Sequence, residues 1–167
     1  MKNEQGFSLI ELLIVVAIIA IIAAIAVPSM LQARMAANES GAIQGCRTVG
    51  SAEVAYAAVN NANYASLEDL RTAGFVDSRF TDTGFNGYGY EDGAVNGVST
   101  FGGDDFAVQA TPGSPDKSGR YVYGISTDQI VRYIEAAGTA DPPSCGSGPC
   151  TGGEPIGSTA PGTAAGS

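Results

Sequence analysis

Residues 7–28 are the segment that most constrains what this chain can fold into. The segment has 22 residues, and before Pro28 its only polar members are Ser8 and Glu11. About 20 apolar residues, each rising 1.5 Å in an α-helix, cross the hydrocarbon of a bilayer. The segment therefore predicts a membrane-embedded helix. Glu11 then needs a reason, because a carboxylate inside hydrocarbon is costly.

Charge and composition exclude several classes of function. The chain has 8 basic and 17 acidic residues, a net charge of -9, so a direct nucleic-acid partner is not expected. It has no His, no phosphate-binding loop and no recognisable activated nucleophile, which predicts a non-enzyme without a cofactor. The acidic pairs Glu91-Asp92 and Asp104-Asp105 lack EF-hand spacing, so we interpret them as solvated loop charges and predict no metal site.

Three interpretations of the N-terminal segment compete. In the first, it is a secretory signal cut after Ala26, and the helix is discarded. In the second, it is a plain signal anchor that tolerates Glu11 close to the membrane interface. In the third, only a short leader is removed and the helix stays. The length of the apolar run and the carboxylate within it favour the third.

The string from Gly6 to Pro28 resembles the N-terminus of type IV prepilins and of type II secretion pseudopilins. It has a six-residue polar leader ending in Gly6, then Phe7, then Glu11 at the fifth mature position, and Pro28 at the twenty-second. The resemblance implies that a prepilin peptidase cuts between Gly6 and Phe7 and N-methylates Phe7. It also implies an assembly platform with its ATPase as partners, and cytoplasmic-membrane lipids before assembly.

The chemistry of this segment agrees with that resemblance. Cleavage would leave a positive amine on Phe7, and the Glu11 carboxylate of a neighbouring subunit is a natural partner for it in an apolar medium. Such a head-to-tail contact is heterologous, and a heterologous contact that does not close generates a helical filament. We therefore predict a homo-oligomeric filament assembled through Glu11.

Pro28 is predicted to kink the helix or melt it locally, because proline lacks an amide donor and clashes with the preceding turn. Ala20 stands where many pilins have glycine, so the melting is expected to be limited. The alternative is that Pro28 merely marks the exit from the membrane, with a break in the helix there.

The rest of the chain predicts an α+β fold of pilin-like architecture. Apolar residues recur at helical spacing up to about residue 60, a short helix is predicted at 67–73 after the N-cap Ser66, and strands are predicted at 88–91, 106–111, 121–126 and 130–134. The apolar stripe of the long helix, which should face the antiparallel sheet, comprises Ala42, Cys46, Val49, Ala52, Tyr56 and Val59.

The C-terminal segment 138–167 is rich in Gly, Pro, Ser and Thr, which predicts a flexible tail. Cys145 and Cys150 lie within it and are predicted to form a disulfide, with two free thiols as the alternative. Cys46 is predicted to be a buried small hydrophobe. The predicted organisation is a leader at 1–6, a transmembrane or filament-core helix at 7–28, a globular domain at 29–137 and this tail.

These features lead to one functional prediction with two alternatives. The first is a structural subunit of a type IV pilus, held in the bacterial cytoplasmic membrane as a single-pass precursor with a cytoplasmic N-terminus and extracellular once assembled. Such a filament would serve adhesion or twitching motility. The alternatives are a type II secretion pseudopilin, and a minor pilin acting as an adhesin or in DNA uptake.

Overall fold

The computed structural model describes residues 7–81, 84–93, 105–135 and 154–155. The chain divides into two compact units, residues 1–34 and residues 35–167. Helix α1 spans Leu9–Val59 and contributes to both. The predicted long helix is confirmed, with ends within two residues of those expected.

The short helix α2 spans Leu67–Thr72 and begins as its sequence predicts. The Ser66 hydroxyl accepts a hydrogen bond from the Asp69 amide at 3.1 Å, so one of the unpaired amides of the first turn has a partner. Gly74 follows the C-cap residue Ala73 and has φ +78°, a left-handed conformation that glycine adopts without a steric penalty. The predicted short helix and its N-cap are confirmed, and the helix ends one residue earlier than predicted.

A five-stranded antiparallel sheet follows, with its strands in sequence order. The strands are β1 (Tyr88–Asp92), β2 (Ala107–Pro112), β3 (Tyr121–Ser126), β4 (Arg132–Glu135) and β5 (Glu154–Pro155). Together with α1 they form the predicted α+β, pilin-like architecture.

Two details of the sheet differ from the prediction. β4 begins at Arg132 rather than at Ile130, because the Asp128 carboxylate accepts the Ile130 amide at 3.0 Å and extends the turn after β3. β5 lies in the segment predicted to be a flexible tail, and it pairs with Arg132 and Tyr133 of β4. The flexibility of the tail as a whole stays a prediction, and the strand at Glu154–Pro155 was not predicted.

The core lies between one face of α1 and the sheet. Four members of the predicted stripe, Ala42, Cys46, Val49 and Ala52, are buried, and Tyr56 packs at the edge of the cluster. Val59 is 71% exposed, so its assignment to the stripe is wrong; it is the last residue of the helix. The largest buried side chains from the sheet are Tyr88, Tyr90, Val108, Tyr123 and Ile125.

Two glycines of α1 let sheet side chains approach the helix closely. A Cβ atom on Gly45 would lie 2.1 Å from the Tyr90 hydroxyl oxygen, so the Tyr90 ring occupies the space that a side chain would take. A Cβ atom on Gly50 would lie 2.7 Å from Ile125 Cδ1. The helix thus presents two notches to the sheet, and their cost in helix propensity is offset by packing.

Candidate functional site

The first turn of α1 brings Ser8 and Glu11 together. The Ser8 amide donates a hydrogen bond to Glu11 Oε2 at 3.0 Å, and the Leu12 amide donates to the Ser8 carbonyl at 3.3 Å. Ser8 lies immediately before Leu9, the first residue of the helix, and Glu11 is the third helical residue. The carboxylate therefore closes one side of a capping box, in which the side chain at the third helical position reaches back to the N-cap amide.

This contact leaves Glu11 able to bind a second donor. Within the described residues, Glu11 accepts no other hydrogen bond, and its side chain is exposed. Phe7 lies next to this turn and is 84% exposed. A cation reaching Glu11 from another molecule would add to the capping contact without displacing it.

The surface that follows this turn is apolar throughout. Every large apolar side chain of α1 from Leu9 to Val27 is more than half exposed. By length and composition α1 is apolar enough to cross a membrane, and its most apolar stretch is not buried within the chain. Such a surface is costly in water. It is suited to lipid or to the same helices of neighbouring copies.

Pro28 lies inside α1, and the backbone stays helical on both sides of it. Neither the predicted local melting nor the alternative of a break at Pro28 is found. Proline removes the hydrogen bond to the carbonyl of Ala24 and crowds that carbonyl with its ring, but the helix continues through both effects. A kink at Pro28 stays a prediction.

Three predicted site residues lie outside the described residues. They are Gly6, on the leader side of the predicted cut, and the predicted disulfide pair Cys145 and Cys150. The cut and the disulfide stay predictions.

Cys46 is fully buried and unpaired, as its position on the stripe predicts. Burial raises the pKa of its thiol to about 12. The reactive form of a cysteine is the thiolate, so Cys46 is inert at neutral pH and acts as a core residue.

The acidic pairs differ from the expected solvated loop charges, because Glu91 and Asp92 belong to β1 and both Asp92 and Asp105 are partly buried. Glu91 is exposed and accepts from Gln109 Nε2 at 2.6 Å, whereas Asp92 is half-buried and accepts from the Leu67 amide at 2.8 Å. Asp105 accepts from the Thr127 hydroxyl at 3.2 Å, and Asp104 lies outside the described residues. No group of three His, Cys, Asp or Glu within the described ranges is placed to hold a metal ion.

The sequence analysis did not identify Glu53, a buried carboxylate in the last two turns of α1. Its side chain is 0% exposed, and it accepts from the Ala65 amide at 3.1 Å. A signal was present, because Glu53 follows Val49 by four residues and Cys46 by seven and so falls on the buried stripe. Its hydrogen-bond partner, Ala65, lies after the end of the helix, and the spacing of apolar residues within the helix does not predict contacts there.

Comparison with known proteins gives one finding. Residues 1–27 match the family described as the prokaryotic N-terminal methylation motif. No curated protein matches the chain. The matched residues include Gly6, Phe7 and Glu11. At its N-terminus, the chain therefore carries the prepilin signal of type IV pilins and pseudopilins.

Proposed function

We propose that this chain is the structural subunit of a type IV pilus filament. In this proposal, a prepilin peptidase removes residues 1–6 and methylates Phe7, and the mature helix polymerises in a filament core. The match of residues 1–27 to the methylation motif carries the proposal. The exposed apolar surface of α1 supports it, because packing identical helices together would remove that surface from water or lipid.

Glu11 is the proposed assembly residue. Its carboxylate already accepts the Ser8 amide in its own chain, and in the filament it would also accept the Phe7 amine of a neighbour. In an apolar surrounding, an unpaired amine or carboxylate is strongly disfavoured, so each added subunit gains from pairing both. The subunit before assembly lies in the cytoplasmic membrane with its N-terminus cytoplasmic, and an ATP-driven platform extracts it.

The processing step is tested by intact mass and N-terminal sequencing of the native protein. The expected product begins at a methylated Phe7. A product beginning at Val27 would establish cleavage as an ordinary secretory signal, and an unprocessed chain would establish a signal anchor.

The pairing step is tested by two substitutions at Glu11. Glu11→Val removes the charge and the capping contact, whereas Glu11→Gln keeps a carbonyl oxygen for the Ser8 amide and removes only the charge. Both variants should be processed normally and should fail to form filaments when expressed alone. Normal filaments from Glu11→Gln would show that capping is sufficient and that the charge pair is not needed.

The methylation motif supports a secretion pseudopilin or a minor pilin as well as a major pilus subunit. Electron microscopy of filaments purified from the native cell separates them. Long surface filaments built mainly of this chain are the expected result. A short periplasmic filament would identify a pseudopilin, and a location confined to filament tips would identify a minor pilin.

A further inference from the structure

Two carboxylates from different elements hold the segment that joins α1 to α2. Glu53, on α1, accepts the Ala65 amide at 3.1 Å, and Asp92, at the end of β1, accepts the Leu67 amide at 2.8 Å. Ala65 and Leu67 are both buried. The start of α2 is therefore fixed to the core through two acidic side chains.

The segment that they hold has an unfavourable backbone. Asn61 and Ala62 are both in the left-handed region, with φ 56° and φ 62°. Residues with a Cβ atom are disfavoured there, and Ala62 has no polar side chain to compensate. The Ala62 amide donates to the Ala57 carbonyl at 2.9 Å, which closes the end of α1. The Asn63 amide also donates to the Asn60 carbonyl at 3.1 Å, and the Tyr64 ring packs against that of Phe106. The contacts at Ala65 and Leu67 complete the attachment of the segment to the core.

The ionised form of Glu53 has few groups to stabilise its charge. Its Oε1 atom has no hydrogen-bond partner among the described residues, and its Oε2 atom has the Ala65 amide alone. The charged group that acts on it is the carboxylate of Asp92, which repels it. Burial, followed by this repulsion, raises the pKa of Glu53 to about 7 although the Ala65 amide opposes the change.

The charged groups around Asp92 leave its own pKa raised, as that of Glu53 is. Burial raises the pKa of Asp92, the Leu67 amide and the Arg71 guanidinium act to lower it, and the carboxylates of Asp69 and Glu68 act to raise it. Arg71 itself is paired with Glu68. The two carboxylates that hold the segment therefore both favour their neutral forms relative to carboxylates in water.

We propose that Glu53 is a proton-controlled latch, which closes the segment between α1 and α2 when it is protonated and loosens that segment when it is ionised. This device is independent of cleavage, methylation and filament assembly. It makes the local stability of the second unit respond to the pH of the surrounding compartment, with acidification tightening the fold.

The sign and the pH range follow from the two states. In an opened segment Glu53 meets water and has its ordinary value of 4.5, whereas the closed state has a pKa of about 7. Closure is therefore most favourable below pH 4.5 and weakens until about pH 7, above which it is constant. Across that range the closing equilibrium should fall by about one to two orders of magnitude.

Amide exchange at Ala65 in the full-length chain, held in detergent micelles, measures the latch directly. After correction for the intrinsic pH dependence of exchange, the protection factor of Ala65 should fall by that factor between pH 4.5 and pH 7. Glu53→Gln keeps an oxygen acceptor for the Ala65 amide and cannot ionise, so its protection should fall much less than that of the wild type between pH 4.5 and pH 7, with only the titration of Asp92 left to act. A wild-type protection factor that does not change with pH would overturn the proposal, as would an equal fall in Glu53→Gln.

Two controls separate the latch from a general effect of pH. Glu39→Gln is the matched control, because Glu39 also accepts a backbone amide, that of Arg120 at 2.7 Å, but is only partly buried. It should leave the Ala65 profile unchanged, and a flattened profile in this variant would contradict the assignment to Glu53. Asp92→Asn keeps an acceptor for the Leu67 amide and removes the repulsion of Glu53 by Asp92, so the midpoint of the fall in Ala65 protection should move to lower pH. This variant tests the proposal independently of whether Glu53→Gln folds. An unmoved midpoint would overturn the coupling.

Metal binding is distinguished in the same samples. The Ala65 profile should be identical in calcium chloride and in a chelator. A profile that is pH-dependent only in the chelator would identify a cation, not a proton, as the controlling ligand and would overturn the latch.

Discussion

Replacing Gly45 by alanine should destabilise the second unit, although alanine is the better helix former. A Cβ atom at this position would lie 2.1 Å from the Tyr90 hydroxyl oxygen and 2.6 Å and 2.7 Å from two carbons of its ring. Ordinary contact begins about 1 Å further out. Either the ring or the helix must therefore move by about that distance.

The Tyr90 ring cannot move away without further cost. It is 1% exposed, and the rings of Phe80 and Phe85 lie with their centroids 4.9 Å and 5.5 Å from its own. Overpacking of such a site costs about 1 to 3 kcal/mol, and this overlap belongs near the upper end. Alanine returns about 1 kcal/mol of helix propensity. The net loss in the free energy of unfolding should be about 2 kcal/mol.

Gly41→Ala is the matched control on the same helix. Its nearest contact would be Asn86 Nδ2 at 3.2 Å, at the end of an exposed side chain that can shift. This variant should be unchanged or stabilised by up to about 1 kcal/mol. Gly50→Ala should fall between the two, because one of its close contacts is the exposed end of Gln129 and the other is the buried Ile125.

Urea unfolding of the full-length chain in detergent, followed by tyrosine fluorescence, measures all three variants. The chain has seven tyrosines and no tryptophan, and all seven lie at or beyond residue 56, so the signal reports on the second unit. The stabilities can be compared only if the free energy of unfolding falls with urea concentration at the same slope in every variant. A Gly45→Ala variant as stable as Gly41→Ala would refute the assignment of Gly45 as a packing notch.

Three further outcomes are expected. Tyr90→Phe should be neutral or stabilise the chain by up to about 1 kcal/mol in the same urea assay, because the Tyr90 hydroxyl is buried without a partner among the described residues. Although burial acts to raise the pKa of Asp128, the Ile130 amide and Arg132 hold it below its usual 3.8, so the stability that this group contributes should be lost as pH falls below 3.8. Asp128→Asn should remove this acid-sensitive part from urea midpoints measured against pH. Cys46 should be alkylated at neutral pH only as fast as the chain unfolds, which peptide mass mapping can follow.

The helical stripe could be predicted because it depends on local spacing. Ala42, Cys46, Val49 and Ala52 follow one another at three- and four-residue intervals, and all four are buried. Gly45 could not be interpreted in the same way, because its partner Tyr90 lies 45 residues further along the chain and only the folded sheet brings the two together. Helix propensity alone ranks Gly45 as a weak point of the helix, whereas the folded chain uses it as a packing site.

The pairing at β5 could not be predicted from composition, for a related reason. Glu154 and Pro155 lie in a segment with too few apolar residues to form a core of its own, which predicts disorder. Their pairing with β4 uses backbone groups, which every residue except proline supplies in full whatever its side chain. An existing sheet edge can therefore recruit a short segment that would not fold alone.

Glu11 and Glu53 are both carboxylates within an apolar helical pattern, where an unpaired charge is costly. Their surroundings differ, so the group that can neutralise the charge differs too. Each accepts one backbone amide, at 3.0 Å for Glu11 and at 3.1 Å for Glu53. Glu11 lies on an exposed surface, so a cation from a second chain can reach it, and its charge can serve assembly. Glu53 is enclosed by its own chain beside Asp92, where a proton is the smallest available counter-charge. On these assignments, neutralising Glu11 abolishes filaments without changing Ala65 exchange, and neutralising Glu53 removes most of the pH dependence of that exchange between pH 4.5 and pH 7 without preventing assembly.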